Sequence, residues 1–173
     1  MPRRFRYPVT RSPKSDPQQY RVYRMENEAI GARSYVKLDR DTVRSLVRSV
    51  CRNYGVPLAK VEWTSKLGRW AAEWDNGTIR LSTKKGTARD VLTITHELAH
   101  HLHHYLSDGT DGQHQSHGPE FMACHMSVLD TCRVIPVVGM RAICAAWKVR
   151  YTDPGTGSSL KKLQGIVRGS HRT

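Results

Sequence analysis

The sequence predicts a small α+β fold in which a short antiparallel sheet packs on a central helix, with further helices around it. Apolar residues recur at helical spacing before residue 55 and around residue 96, whereas two short runs that contain Trp70, Trp74 and Ile79 flank an Asn-Gly turn. A chain of 173 residues with 38% hydrophobic content has enough material for one modest core. We therefore expect a single domain with extensions.

Composition divides the chain into three parts. Residues 1–19 contain four prolines and few apolar side chains, which predicts a basic extended arm. Residues 20–151 form the predicted domain. The Gly- and Ser-rich run at 155–159 indicates that residues 152–173 are a linker and basic tail.

The domain begins with a strand and a helix in this interpretation. Residues 20–26 are read as a first strand. Asp39 is predicted to open a helix that ends at Tyr54, since Gly55 suits a C-terminal stop. The apolar face of this helix holds Val43, Leu46, Val47 and Val50. Its opposite, solvated face carries arginine at every fourth position: Arg40, Arg44, Arg48 and Arg52.

Strands come next. Residues 61–63 and 70–74 have the composition of strands, and Asp75-Asn76-Gly77 is a strong hairpin turn signal. The strand that follows this turn is predicted at Thr78–Ser82.

The central helix is predicted to run about five turns, from near Ala88 to near Ser107. Thr87 is its expected N-cap, with Asp90 three positions later. No glycine or proline interrupts it before Gly109.

Two more helices complete the predicted domain. The first starts at Pro119, because the missing N–H of proline costs nothing in a first helical turn, and it extends to about Arg133. The last spans Val137 to Arg150.

Residues 96–100, inside the central helix, read His-Glu-Leu-Ala-His and fit the pattern H-E-x-x-H. Helix positions four apart lie on one face, so His96 and His100 can hold one metal ion together. Glu97 can reach a water bound to that metal and act as its general base. The pattern predicts a zinc hydrolase, in which zinc lowers the pKa of water to about 7 and Glu97 passes the proton to the leaving amine.

A third ligand is expected downstream. The metzincin pattern needs Gly and His where this chain has His103 and Leu106, which excludes that class. His117, just before the helix that starts at Pro119, is the favoured candidate. Glu120 is the alternative, as in a thermolysin-like site.

The pentad and His117-Gly118-Pro119-Glu120-Phe121, sixteen residues further on, resemble the corresponding segments of the SprT/Spartan-like zinc metallopeptidases. The run from Trp74 to Leu81 resembles the strand pair before the active-site helix of that family. Residues 20–26 are similar to the start of small actinobacterial and phage proteins described as metallohydrolases.

This resemblance covers about residues 20–150 and implies a zincin-like fold. It implies that His96, His100 and His117 bind Zn²⁺, that Glu97 is the catalytic base, and that the substrate is a protein or peptide. It also implies activation by DNA. Spartan proteins carry further DNA- and partner-binding modules that this sequence does not show, so the family's substrate is not carried over.

Several roles are left open at this stage. Five more histidines are candidates for extra ligands, a proton relay or solvent-facing positions: His101, His103, His104, His114 and His125. The donor that stabilises the oxyanion is open among His114, Tyr105, Arg133, Tyr151 and backbone amides. The strand at Thr78–Ser82 is hypothesised to pair with an extended substrate.

The chain has a formal net charge of +13, concentrated at both ends. Basic arms of this kind bind nucleic acid or acidic partners in many proteins, and Phe5, Tyr7 and Tyr20 offer stacking surfaces nearby. Nucleic-acid contact through the termini is one hypothesis, and a pair of solubilising tails is the other.

None of the four cysteines forms a C-x-x-C pair, so a zinc ribbon is not expected. Cys51, Cys124 and Cys144 fall at apolar helix positions. The absence of a signal-peptide core and of a transmembrane run predicts a cytoplasmic protein without membrane partners. Two classes of function remain: a zinc-dependent peptidase, and a non-catalytic, zinc-stabilised protein that binds nucleic acid or an assembly through its basic arms.

Overall fold

The computed structural model describes residues 16–31, 36–107 and 116–154. It confirms the α+β class, with a three-stranded sheet among helices. The elements in chain order are helix α1 (Gln19–Met25), a π-helical turn (Glu26–Ile30), α2 (Arg40–Tyr54), β1 (Lys60–Thr64), β2 (Ala72–Asp75), β3 (Thr78–Ser82), a 3₁₀ turn (Gly86–Arg89), α3 (Val91–Leu106), α4 (Pro119–Thr131) and α5 (Val137–Ala146).

The N-terminal run at 20–26 is helical, so the strand predicted there was wrong. Its β-branched and aromatic residues suggested a strand. However, Val22, Met25 and Glu26 are fully buried, and their spacing of three and four places them on one helix face. Burial of that face outweighs the local preference.

Helix α2 has the predicted limits. The Asp39 carboxylate accepts the backbone N–H of Thr42 at 2.7 Å, as an N-cap does. Gly55 ends the helix in the left-handed conformation, at φ 63°. The four arginines of the opposite face are exposed, as expected.

The sheet is mixed and not wholly antiparallel, with the strand order β1-β3-β2. Strand β3 pairs antiparallel with β2 through a two-residue turn, Asn76-Gly77, whose φ angles of 42° and 79° match a type I′ hairpin. Strands β1 and β3 run parallel, because β2 lies between them in sequence and reverses the chain direction.

This topology contradicts the hypothesis that Thr78–Ser82 pairs with substrate. Strand β3 is central and is hydrogen-bonded on both edges, from Thr78 to Ser82 on one side and from Thr78 to Leu81 on the other. Within the described residues, a free edge belongs to β2 or β1.

Helix α3 forms the centre of the domain. It starts at Val91, after the 3₁₀ turn, and its N-cap is Asp90, not Thr87. The tertiary contacts of the first turn decide this start, since the Val91 N–H donates to the carbonyl of Val36. Residues 91–99 are all buried, because the helix packs between β2, α2 and α4.

Helix α4 begins with Pro119 in its first turn, as predicted, and ends at Thr131. Cys51, Cys124 and Cys144 are buried free thiols in helices, in agreement with their predicted apolar positions. None of the described helices combines the length and apolar character needed to cross a bilayer. Most of the predicted arm and tail lies outside the described residues.

Candidate metal centre

The three predicted ligands come together where α3 meets the start of α4. His96 and His100 lie one turn apart on α3, and their Nε2 atoms are 3.2 Å apart. His117, two residues before α4, places its Nε2 3.3 Å from that of His96. All three side chains thus direct the same ring nitrogen at one point.

Carboxylates on the far side of two rings set their tautomers. His96 Nδ1 lies 2.7 Å from Glu26 Oε1, and His117 Nδ1 lies 2.6 Å from Asp16 Oδ2. An ionised carboxylate only accepts, so in that state of Glu26 and Asp16 each Nδ1 carries the proton and each Nε2 keeps its lone pair.

Burial keeps these rings neutral. It lowers the pKa of His96 to about 3, and it is also the largest cause of the lowered pKa values of His100 and His117. Neutral nitrogen lone pairs that converge at about 3 Å repel one another unless a cation lies between them. This donor set, three imidazoles with carboxylates behind two of them, fits zinc.

Glu97 lies next to this cluster and is 5% exposed. The backbone N–H of Trp74, in β2, donates to its carboxylate. Burial, followed by the charge of Glu26, raises the pKa of Glu97 to about 8. A carboxyl group with such a pKa can both accept and return a proton near neutral pH.

An open cavity of about 450 Å³ leads to these residues. One wall is β2, with Ala72, Glu73 and Trp74. Another is α1, with Gln19 and Tyr23. The floor is formed by His96, Glu97, His100 and His117. The cluster is therefore accessible to a molecule that enters between β2 and α1.

Comparison with known proteins assigns the chain to a family. The sequence model of the SprT-like family matches residues 40–138, more than half of the chain. The chain belongs to the SprT-like family. No curated protein and no solved structure matches it.

The matched range of this SprT-like protein includes the pentad and His117, and the family is associated with zinc. The His96, His100 and His117 nitrogens form one of two described groups that are compact enough to hold a metal ion. The structure therefore supports the coarser assignment of a metallohydrolase-type site.

Four other candidate ligands that the structure describes do not join the three histidines, and His125 belongs instead to the second described group, with Glu26 and His96. His101 bonds to Trp74 and to Pro57, away from the cluster. His103 and His104 line the cavity without joining the described metal groups. Glu120 lies in the first turn of α4 and is also outside those groups. His114 falls outside the described residues.

Three of the side chains considered from sequence as oxyanion donors are not brought to this site by the structure. Among the described residues that line the cavity, Tyr105, Arg133 and Tyr151 do not occur. Tyr23 does, and its ring centroid lies 5.4 Å from that of His96 and 4.9 Å from that of His117. Burial raises the pKa of Tyr23 above its usual range, so its hydroxyl stays protonated.

Sequence reasoning missed three buried residues at this site, Asp16, Tyr23 and Glu26, and it left His125 open among the candidate ligands. His125 lies behind His96, with its Nδ1 3.2 Å from the oxygen of Glu26 that meets His96. The helical spacing of Tyr23 and Glu26 was the available signal, and the strand interpretation of residues 20–26 concealed it.

Proposed function

We propose that this SprT-like protein is a zinc-dependent peptidase. The observation that carries the proposal is Glu97, a buried carboxylate beside three converging imidazoles on the floor of an open cavity. A site that only stabilises a fold with zinc is closed by a fourth protein ligand and has no use for an adjacent carboxylate. Here three histidines supply three ligands, and the fourth side of the site faces the cavity.

The chemistry divides between the metal and the chain. His96, His100 and His117 would hold zinc, which lowers the pKa of water to about 7 and polarises a carbonyl. Glu97 takes the proton of the attacking water and delivers it to the leaving amine. The Trp74 N–H holds the Glu97 carboxylate in place, and the protonated Tyr23 hydroxyl is our candidate donor to the oxyanion.

The edge of β2 is the proposed docking strand for the peptide. The Ser82 N–H donates to the carbonyl of Ala71 at 2.8 Å, which makes these two residues a hydrogen-bonded pair. Pairs alternate along antiparallel strands, so the backbone groups of Ala72 and Trp74 point to the outer edge. The Trp74 N–H is taken by Glu97, which leaves both backbone groups of Ala72 and the carbonyl of Trp74 to pair with a peptide. An extended peptide that adds there would run along the cavity wall, past Glu97.

The test is Glu97→Gln beside the wild-type protein, with zinc content and cleavage of an unstructured protein measured in parallel. We expect equal zinc in both proteins and a loss of at least about 100-fold in cleavage rate, because glutamine keeps the shape and loses the proton acceptor. Equal zinc with equal cleavage would refute the role of Glu97. Equal zinc with no cleavage by either protein would favour the alternative, a zinc-stabilised binding protein.

A contact with nucleic acid is the second candidate, and it has one supporting observation among the described residues. A recess of about 380 Å³ beside the 3₁₀ turn is lined by five cationic residues: Lys37, Arg40, Lys84, Lys85 and Arg89. Within the described part of the chain, none of the five forms a salt bridge. Such a recess attracts phosphates, and the basic termini would add to it.

Binding of a labelled single-stranded oligonucleotide at several salt concentrations tests this contact. We expect weaker binding for the Lys84→Ala/Lys85→Ala double variant and a smaller dependence on salt, by about 1.4 units of the logarithmic slope for a single strand. Cleavage with and without the oligonucleotide then shows whether it activates the protein. An unchanged affinity of the double variant would leave the termini as the only candidate contact.

A further inference from the structure

We propose that the N-terminal segment Asp16–Ile30, which precedes the family-matched range, is a positioning element of the metal centre that sets its affinity for zinc. Its two buried carboxylates, Asp16 and Glu26, hold two of the three metal-binding histidines. The proposal rests on the metal site of the proposed function but not on peptidase activity.

Asp16 controls the third histidine. Its Oδ2 lies 2.6 Å from His117 Nδ1, and both residues are buried, with 5% and 3% exposed. His117 belongs to a short turn before α4 and not to a helix, so its ring has no regular element to orient it. The hydrogen bond to Asp16 supplies that orientation.

Gln18 fixes the main chain at the same place. Its side-chain amide donates to the carbonyls of His117, at 3.0 Å, and Arg150, at 2.9 Å. Its side-chain oxygen accepts the N–H of Arg150 at 2.7 Å. One fully buried glutamine therefore ties the His117 turn to the chain beyond α5.

Glu26 controls the first histidine of the pentad. Its Oε1 lies 2.7 Å from His96 Nδ1 and 3.2 Å from His125 Nδ1, and the exposed fraction of the Glu26 and His125 residues is zero. Glu26 opens the π-helical turn that follows α1, where the Gly31 N–H donates to the Glu26 carbonyl at 2.7 Å. Turns of this kind occur frequently at functional sites.

Burying the Asp16 and Glu26 carboxylates costs free energy unless a nearby cation compensates for their negative charge. A carboxylate without water is unfavourable, and a hydrogen bond to a neutral imidazole compensates only in part. The remaining oxygens, Asp16 Oδ1 and Glu26 Oε2, have no hydrogen-bond partner among the described residues. A divalent cation on the other side of each ring would favour both negative charges, as in carboxylate–histidine–zinc arrangements.

The metal centre then extends beyond residues 40–138, the range that the family match covers. Carboxylates behind metal-binding histidines fix the tautomer and raise the basicity of the ring, and their removal weakens metal binding by about 10- to 100-fold. The segment Asp16–Ile30 should therefore affect zinc binding even though it supplies no ligand.

The experiment measures zinc affinity of the full-length protein by competition with a chromophoric chelator, together with the absorption spectrum after Co²⁺ substitution. The variants are Asp16→Ala, Asp16→Asn, Glu26→Ala and Glu26→Gln. We expect about 10- to 100-fold weaker zinc binding for each alanine variant and an altered Co²⁺ spectrum. Smaller losses are expected for Asn and Gln, because their side-chain oxygen still accepts from Nδ1–H.

Glu28→Gln is the matched control, since Glu28 lies in the same segment and forms an exposed pair with Arg24 at 3.0 Å. It should leave both readouts unchanged. Zinc affinity and Co²⁺ spectra of Asp16→Ala equal to those of the control would overturn the proposal. Asp16 precedes α1 and belongs to no helix or strand, so this variant decides the matter even if Glu26→Ala does not fold. Neither readout depends on cleavage, so failure here is distinguishable from failure of the peptidase proposal.

Discussion

Helix α3 carries histidines of two kinds, and neighbouring residues show the difference. His100 faces the cluster, with its Nε2 3.2 Å from that of His96. His101, the next residue, faces the sheet: its Nδ1 accepts from the indole N–H of Trp74 at 3.2 Å, and its Nε2–H donates to the carbonyl of Pro57 at 2.7 Å. Both nitrogens of His101 are thus occupied by protein. The partners of a ring, and not its position in a histidine-rich run, decide whether it can bind a metal.

The largest contrast is expected in zinc binding. His100→Ala removes a ligand and should weaken zinc affinity by more than about 100-fold, beyond the loss caused by an outer carboxylate. His101→Ala should leave zinc affinity unchanged. Chelator competition on both variants measures the contrast, and equal losses would show that the two histidines do not differ as the structure indicates.

The second effect is on stability. His101→Phe keeps the ring volume but leaves the Trp74 indole N–H and the Pro57 carbonyl without a partner. We expect a loss of about 2 kcal/mol in the free energy of unfolding, which is the cost of burying polar groups without hydrogen-bond partners. Denaturant unfolding of the zinc-loaded protein measures it. His101→Gln, which keeps one donor and one acceptor, is the control and should lose less stability. If His101→Phe had the same free energy of unfolding as the wild type, these two hydrogen bonds would not contribute to stability.

Asp90 extends the comparison to a buried carboxylate that has no histidine beside it. Both of its oxygens lack a hydrogen-bond partner among the described residues, and burial raises its pKa from 3.8 to about 6. Between these two values the folded protein binds more protons than the unfolded chain, so stability falls as pH rises through this window and is fully retained below it.

Asp90→Asn should therefore flatten this part of the pH–stability curve. At pH 7 the variant is expected to be more stable than the wild type by about 2 kcal/mol, since asparagine carries no charge to bury at this position. Unfolding at pH 4 and pH 7 measures the difference. A variant that runs parallel to the wild type over this interval would place the titration on another group.

The smallest effect on stability is expected in the β2–β3 hairpin, which positions Trp74 against His101. Gly77 has φ 79°, and a Cβ there would lie 3.2 Å from the Tyr105 hydroxyl. Gly77→Ala should cost about 1 kcal/mol of stability, because L-residues disfavour this conformation. Gly55→Ala, at φ 63° with nothing within 4 Å of its Cβ, isolates the contact with Tyr105. Thermal unfolding of the two variants compares them, and a larger loss at Gly55 would argue against that contact.

The sequence predicted the parts of the site that local spacing encodes. Two histidines four apart on a helix necessarily share a face, and the Asn-Gly turn necessarily makes a hairpin. It did not predict Asp16 and Glu26, whose partners His117 and His96 lie 101 and 70 residues away in sequence. The periodicity of a local sequence does not indicate contacts between residues so far apart in the chain.

Two of the errors in the fold, the strand predicted at residues 20–26 and the free edge expected for Thr78–Ser82, have the same origin. The helix at 19–25 is selected by burial of one face against the domain, which a seven-residue run of mixed propensity does not reveal. The central place of β3 follows from its parallel pairing with β1, and a hairpin signal says nothing about the other edge of its second strand.

Strand β2 has four residues, and its outer edge runs beside Glu97. Under the proposed function, a polypeptide must lie straight over about 13 Å to pair with it, at about 3.3 Å per residue. A folded protein exposes such extended stretches only where it is locally unfolded, so local unfolding of the target would determine where it is cleaved. The geometry of the docking edge would then restrict cleavage to locally unfolded proteins, with no need for a separate inhibitor.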